Sequence, residues 1–439
     1  MKVITQKETE IGLMPNEWKI TSIGNEFDIQ QGKQVSAKTR VGENQKPFLR
    51  TANLFWNKID LSVLDKMNFT AAEELRMTIK VNDVFVCEGG DIGRTALVAT
   101  ELNDIYYQNH LHRLRVKSGS TNPLFFVYWM TYCWQFTEYY NGAGNKTTIP
   151  NLSQSRLKAL LFPKPEKAEQ DSISDILSLI QSAIQKQEQI INTTTELKNA
   201  LMKKLFTESL HREKTKNTEI GQVPQSWDVK TLREICEKPT YGYTDSASKT
   251  GNARFLRITD ITEDGVTWDN VPYCNCPEER LQNYLLKDND IVFARIGATT
   301  GKSYIMKNPP VAVYASYLIR VRVKNEINPD FLYLFFNSSA YWQQVDANKK
   351  SNLKQGVNGS VLQNLLVPIP SILIQEEAVK TFTALENKIN FHKSKMKTLE
   401  FLFQSSLHNL MTGKIRIKDE VLNTVTEEQF KPAKITANE

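Results

Sequence analysis

Two stretches of this chain have residue types that could act on a small substrate or hold a metal. Gly297-Ala298-Thr299-Thr300-Gly301-Lys302-Ser303 ends like a phosphate-binding loop, in which backbone N–H groups cradle phosphates and a lysine reaches them. That loop requires four residues between its glycines, and here there are three. The corresponding Gly89-Gly90-Asp91-Ile92-Gly93-Arg94-Thr95 keeps the glycine and the cation but puts a carboxylate where phosphates would sit, so no nucleotide cradle is expected. Cys274-Asn275-Cys276 could offer two thiolates to zinc, but a structural site wants four ligands at wider spacing, and histidines 110, 112, 211, 392 and 408 supply no second half. No metal site and no catalytic set are therefore expected. The five cysteines, at 87, 133, 236, 274 and 276, cannot all pair and fit a reducing compartment.

Asn308-Pro309-Pro310-Val311 is similar to the Asn/Asp-Pro-Pro-aromatic tetrapeptide of amino-methylating DNA methyltransferases. In those enzymes the ring stacks on a flipped base, a task valine cannot perform, and no glycine-rich strand-to-helix turn precedes it to hold S-adenosylmethionine. It reads as a turn. What does recur is cation, amide and hydroxyl near turns: Arg50, Thr51 and Asn53 against Arg257 and Thr259, Arg94 against Lys302, and Arg113 against Arg320. Arg295, Thr299 and Thr300 belong to the same set. Two basic, amide-rich segments add Asn145, Lys146 and Thr147, and Lys349, Lys350, Asn352 and Lys354, both read as flexible loops. These are the groups that contact phosphates and read base edges, and they are the candidate DNA-binding residues.

The recurrence extends through the chain. Glu10-Ile11-Gly12, Pro15 and Trp18 return as Glu219-Ile220-Gly221, Pro224 and Trp227. Phe48-Leu49-Arg50 returns as Phe255-Leu256-Arg257, and Asp83-Val84-Phe85-Val86 as Asp290-Ile291-Val292-Phe293. Leu111 to Lys117 matches Leu318 to Lys324, Asn122-Pro123 answers Asn328-Pro329, and Pro163-Lys164-Pro165 answers Pro368-Ile369-Pro370. Colinear matches with a nearly constant offset mark one unit duplicated in tandem.

Each copy opens with short β-branched and aromatic runs between Gly, Asn and Pro turns, which predicts a mixed α/β globule. Pro123 to Tyr140 and Pro329 to Val345 read as aromatic-rich helices opened by proline. A long amphipathic helix follows each globule. In the first, apolar residues fall at Leu177, Ile180, Ile184, Ile191, Leu197, Leu201 and Leu205; in the second, at Phe382, Leu385, Ile389, Met396, Leu402 and Leu410, with Gly413 as its stop. Helices this long need a partner, and the expectation is a coiled-coil seam of Leu177, Ile180, Ile184, Gln187 and Ile191 facing Phe382, Leu385, Ile389, His392 and Met396. Gln187 and His392 would be its polar interruptions. The predicted organisation is globule 1–165, helix 166–210, linker 211–223, globule 224–370, helix 371–415 and a polar tail 416–439.

Composition is consistent with this. The 439 residues suffice for two or three domains, 40% hydrophobic and 24% charged residues describe a folding chain, and the net charge of +6 leans only modestly towards an anionic partner. There is no run of twenty apolar residues and the first ten are polar, so a cytoplasmic protein without a membrane partner is expected.

Two α/β units, each opened by Glu-Ile-Gly-x-x-Pro-x-x-Trp and closed by Pro-x-Pro, a glutamine (Gln170, Gln375) and a long helix, resemble the specificity subunit of type I restriction-modification systems. The resemblance covers nearly the whole chain and includes Phe-Leu-Arg twice and Asp290 to Lys302; copy one departs from it at Cys87 to Asp91, where Glu88 stands near the place of Arg295. It implies an α/β (α+β) fold of two tandem target-recognition domains joined by two long antiparallel coiled-coil helices with pseudo-twofold repeat symmetry. Each domain would read one half of a bipartite, asymmetric site in double-stranded DNA. The chain would be non-catalytic and carry no cofactor. It would recruit two modification subunits that use S-adenosylmethionine for adenine-N6 methylation, and restriction subunits that use ATP and Mg. The alternatives are a stand-alone DNA methyltransferase and a coiled-coil scaffold without DNA affinity.

Overall fold

The fold was analysed in a computed structural model that describes residues 5–140, 151–262, 265–351 and 356–417. It divides into two units. Unit 1 takes the chain up to Lys186 and resumes at Lys395; unit 2 is Gln187–Ser394.

The core sheet of unit 1 has strands β1 (Phe27–Gln31), β2 (Val84–Cys87), β3 (Thr95–Leu97) and β4 (Leu111–Val116), in the order β3-β2-β4-β1, all antiparallel. Helix α1 (Pro123–Phe136) and the 42-residue helix α2 (Lys167–Glu208) follow. In unit 2, β5 (Thr240–Tyr241), β6 (Ile291–Ala294), β7 (Ser303–Ile305) and β8 (Leu318–Val321) repeat the sheet as β7-β6-β8-β5. Register is preserved: Arg113 faces Phe85 and Arg320 faces Val292. Helices α3 (Pro329–Phe336), α4 (Ser339–Ser351) and the 40-residue α5 (Ile372–Met411) complete the chain. A second, three-stranded sheet in each unit pairs the Phe-Leu-Arg strand in parallel with Tyr106–Tyr107 or Ala312–Tyr314.

The repeated motifs have mechanical roles. The Pro-x-Pro strands Leu161–Lys164 and Leu366–Ile369 pair with Lys19–Ser22 and Asp228–Thr231, so each unit closes on its own beginning. Gln170 is fully buried; its Oε1 accepts from Asn122 N–H at 2.8 Å and its Nε2 donates to the Pro165 carbonyl at 2.8 Å. Gln375 repeats this, accepting from Asn328 N–H at 2.9 Å and donating to the Pro370 carbonyl at 3.0 Å. Each glutamine therefore ties the long helix to the asparagine whose side chain caps α1 or α3. Trp18 and Trp227 are buried beneath the helix ends: Trp18 Nε1 donates to Glu169 Oε2 at 3.0 Å, and Trp227 packs edge-on to Phe206.

Each unit uses both long helices. Ile173 and Leu177 of α2 share the unit 1 core with Leu407, Leu410 and Met411 of α5, while Met202, Leu205 and Phe206 share the unit 2 core with Ala378 and Phe382. Within unit 2 the helices run antiparallel: His392 Nδ1 donates to Gln187 Oε1 at 2.7 Å, and Lys198 pairs with Glu386. Leu177, Gln187, Phe382 and Ile389 are buried; Ile180, Ile184, Ile191, Leu385, His392 and Met396 are half-buried. Leu197 and Leu402 are exposed, contrary to their place in the predicted stripe. The buried face steps through 187, 191, 194, 198, 201 and 205 in alternating fours and threes, and Thr194 and Lys198 hold the places that Leu197 misses.

Four other expectations are corrected. The helix predicted from Pro329 to Val345 breaks at Asn337, where Ser338 starts α4 by accepting from Tyr341 N–H through its side chain. α4 then runs through Lys349 and Lys350, which are helical and not in a loop. The linker 211–223 is largely the hairpin Thr215–Thr218 with Gly221–Pro224, the counterpart of Gln6–Thr9 with Gly12–Pro15. Arg416, expected at the start of the polar tail, packs on the fold: its guanidinium pairs with Glu169 and with Glu17 and lies 5.8 Å from the Trp18 ring centroid. Gly413 ends α5 with φ +62°, and a Cβ there would lie 2.2 Å from Pro15.

Candidate nucleic-acid interface

The recurrent arginines separate into interior and surface groups. Arg113 and Arg320, expected among the DNA-binding residues, are buried and donate to backbone carbonyls, Arg113 to Thr78 at 3.0 Å and Arg320 to Leu285 at 2.9 Å. Their neighbours Arg115 and Arg322 donate Nε–H to the buried Asp83 and Asp290, each at 2.7 Å, and those carboxylates hold the arginine pKa values above the ordinary range. The Arg-x-Arg of each copy is a brace across β2 and β4 or β6 and β8. Asn53 is likewise internal: it accepts from Arg50 N–H at 2.9 Å and donates to Val63 O at 2.8 Å, holding a tight turn. Thr300 is buried with its hydroxyl on Gly297 O at 2.7 Å, whereas Arg257, which pairs with Asp260 at the unit 2 counterpart of the Asn53 turn, keeps 42% of its side chain exposed. A buried side chain committed to backbone carbonyls is not available to a phosphate.

The remainder lie nearer the surface, Arg94 least so, with 15% of its side chain exposed. Arg94 brings Thr51 into the group by donating to its carbonyl at 2.7 Å, pairs with Asp91 and lies over the exposed Phe55 ring. Arg50 is half-exposed and paired with Asp65 at 2.9 Å. Thr259 and Lys302 are exposed, and Thr299 and Arg295 half-buried. Asn145, Lys146, Thr147, Asn352 and Lys354 lie outside the described residues, and for Lys349 and Lys350 only the backbone is described.

The ends of β2 and β6 set Arg295, one of the predicted contacts, beside side chains that recurrence did not single out. In unit 2, Arg295 stacks 5.0 Å from the centroid of Tyr241, and Ile296, Tyr317 and Tyr241 are exposed. In unit 1 the same places hold Glu88, Gly89, His110 and Gln31, with Gln31 Nε2 donating to Glu88 Oε2 at 2.7 Å. The signal for these positions was available as a difference between the copies where the flanking residues agree.

Other reactive side chains are used internally. Cys274 and Cys276 are buried among Ala253, Phe255 and Val313, and burial pushes the Cys274 thiol up to about 12. His112 is fully buried, and burial lowers its pKa; its Nε2 meets the Leu152 carbonyl at 3.0 Å. A cavity of about 900 Å³ in unit 2 is walled by Met202, Tyr304, Tyr333, Trp342 and Phe382, with the Lys198–Glu386 pair on its lining. Among the described residues no helix is long and apolar enough to cross a membrane.

The type I restriction enzyme MjaVIII specificity subunit of Methanocaldococcus jannaschii is 23% identical over 419 residues, covering 92% of this chain and 95% of that protein. The EcoKI specificity subunit of Escherichia coli K12 is 24% identical over 245 residues, 53% of this chain and 52% of that one. The fold matches the crystal structure of a type I restriction-modification S subunit from M. genitalium with TM-score 0.58 at 18% identity, over 92% of this chain and 99% of that one. The family described as the type I restriction modification DNA specificity domain matches residues 15–196 and again 224–400, and with both copies of the repeat so covered, the chain belongs to that family.

Proposed function

We propose that the chain is the DNA-reading subunit of a type I restriction-modification complex, with each unit reading one half of a bipartite, asymmetric site in double-stranded DNA. The observation that carries this is the pairing of preserved scaffold with divergent surface: the same sheet, brace and glutamine tie recur in both units, while the side chains at the ends of β2 and β6 differ. Two copies of one frame with different surface chemistry are suited to two different base sequences. The long helices α2 and α5 set the gap between the half-sites. The protein is non-catalytic and carries no cofactor. Two modification subunits supply S-adenosylmethionine-dependent adenine-N6 methylation, and restriction subunits supply ATP- and Mg-dependent chemistry, all in the cytoplasm. Most of the affinity comes from phosphate contacts and is salt-dependent.

A gel shift of the chain with its methyltransferase subunits tests this. Specific retardation is expected, with log Kobs falling linearly as log salt rises, and no S-adenosylmethionine binding to the chain alone by calorimetry. Assembly without any DNA retention would support a scaffold instead, and calorimetric binding of S-adenosylmethionine would support a stand-alone methyltransferase.

A further inference from the structure

The residues that follow β2 and β6 share one backbone setting and carry opposite chemistry. Glu88 N–H donates to the His110 carbonyl at 2.9 Å, and the Glu88 carbonyl accepts from Leu152 N–H at 2.7 Å. Arg295 N–H donates to the Tyr317 carbonyl at 3.0 Å, and the Arg295 carbonyl accepts from Val357 N–H at 3.1 Å. The neighbouring strand supplies Gln31, in register with His112, or Tyr241, in register with Ile319. Each is followed by a glycine packed on backbone: a Cβ on Gly32 would lie 2.3 Å from the Gln108 carbonyl oxygen, and one on Gly242 would lie 2.2 Å from that of Ala315. The two positions are therefore held alike in both units, and only the side chains differ.

Resting on the reading of one half-site per unit, we propose that this is a base-reading position in each. In unit 2 Arg295 donates to the paired acceptors on a guanine edge; in unit 1 Gln31 accepts from the exocyclic amino group of cytosine or adenine. Arg295 is suited to the first task. Its guanidinium is half-buried against Tyr241, whose hydroxyl is itself fixed by Gly359 N–H at 3.0 Å, and no carboxylate pairs with it among the described residues. An arginine held over a ring presents its fork in a fixed plane, the geometry that recognises guanine O6 and N7 together.

Unit 1 reverses the polarity. The Gln31 amide nitrogen is consumed by Glu88 Oε2 at 2.7 Å and the Asn109 carbonyl at 3.0 Å, which leaves its Oε1 as an acceptor. Glu88 is buried and acts as a positioning residue that fixes which way the amide points. A carboxylate near a polyanion is repelled by phosphates, so this corner suits a base amino group and not the backbone.

Selection from randomised duplexes, using the full chain with its methyltransferase subunits, tests the proposal. Arg295→Ala should lose preference for guanine at one position in one half of the selected motif, a fall in discrimination of roughly 5- to 150-fold, the equivalent of about 1–3 kcal/mol. Gln31→Ala should relax one position in the other half, where the wild type selects cytosine or adenine. Glu88→Gln, by freeing the amide to rotate, should widen that same position to bases carrying an acceptor. In each case the unaffected half of the motif shows that the variant is folded and assembled. The proposal is overturned if Arg295→Ala weakens binding to all sequences alike and leaves the motif intact, the behaviour of a phosphate contact, or if the Arg295 and Gln31 variants relax the same half. A wild type that selects a two-block motif unaffected by the variants refutes this proposal alone. A wild type that selects no such motif refutes the half-site reading, and this proposal with it.

Discussion

His392 donates to Gln187 across 2.7 Å, and these two residues are each other's counterparts in the internal repeat, 205 positions apart. A residue that meets its own counterpart is what antiparallel pairing of two equivalent helices produces. Apolar residues flank this pair on both helices, so the hydrogen bond fixes register at that level of the seam.

Replacing either partner alone with leucine should destabilise the chain by about 1 kcal/mol, because the surviving group loses its hydrogen bond in a mostly buried seam. The double leucine variant should recover most of that loss. Urea unfolding of the four proteins checks this, and strictly additive single effects would show that the pair is not coupled.

Gln170 and Gln375 make a second, stronger expectation. Substituting leucine strands a backbone N–H and a backbone carbonyl at Gln375, and at Gln170 also the Ser120 carbonyl, at about 1–3 kcal/mol for each orphaned group. Thermal unfolding should show a large drop for either variant. A glutamate variant should fare no better, since it lacks the amide donor to the proline carbonyl.

Acid should weaken unit 1 through His112. Burial holds its pKa below the ordinary 6.5, so the unfolded chain takes up a proton that the folded one resists; stability is complete above about pH 6.5 and is lost as pH falls below that value. His408, also lowered by burial, acts in the same direction. His112→Ile copies the residue at the equivalent place in unit 2, Ile319, and should flatten part of the acid slope in hydrogen-exchange protection of unit 1. An unchanged slope would mean that His112 is not its source.

Four residues inserted after Thr194 should alter the tolerated gap between half-sites, or abolish assembly, and leave the half-sites themselves unchanged. Sequencing of DNA retained by the variant complex reads both. Altered half-sites would show that helix and readers are not separable.

The long helices were legible because a 3.6-residue pattern survives without Gly or Pro, and Gln187 and His392 were legible as polar interruptions, though their mutual contact was not read from the sequence. Leu197 and Leu402 misled because hydrophobicity alone does not fix phase once Thr194 and Lys198 occupy seam places. Among the candidate contacts, recurrence pointed the wrong way. Arg113 and Arg320 recur because both copies need the same brace, and only the register against Phe85 and Val292, beside buried Asp83 and Asp290, shows that they face inward. A duplicated frame preserves its scaffold residues, whereas readers of different bases should diverge, as Glu88 and Arg295 do.

The most direct measurement is to co-express the chain with its methyltransferase subunits and map modified adenines across a genome by single-molecule sequencing. Two fixed blocks of unequal sequence separated by a constant unread gap, with one modified adenine in each, are the expected result. A complex that forms and methylates at a single uninterrupted motif, or at none, would contradict the assignment of one half-site to each unit.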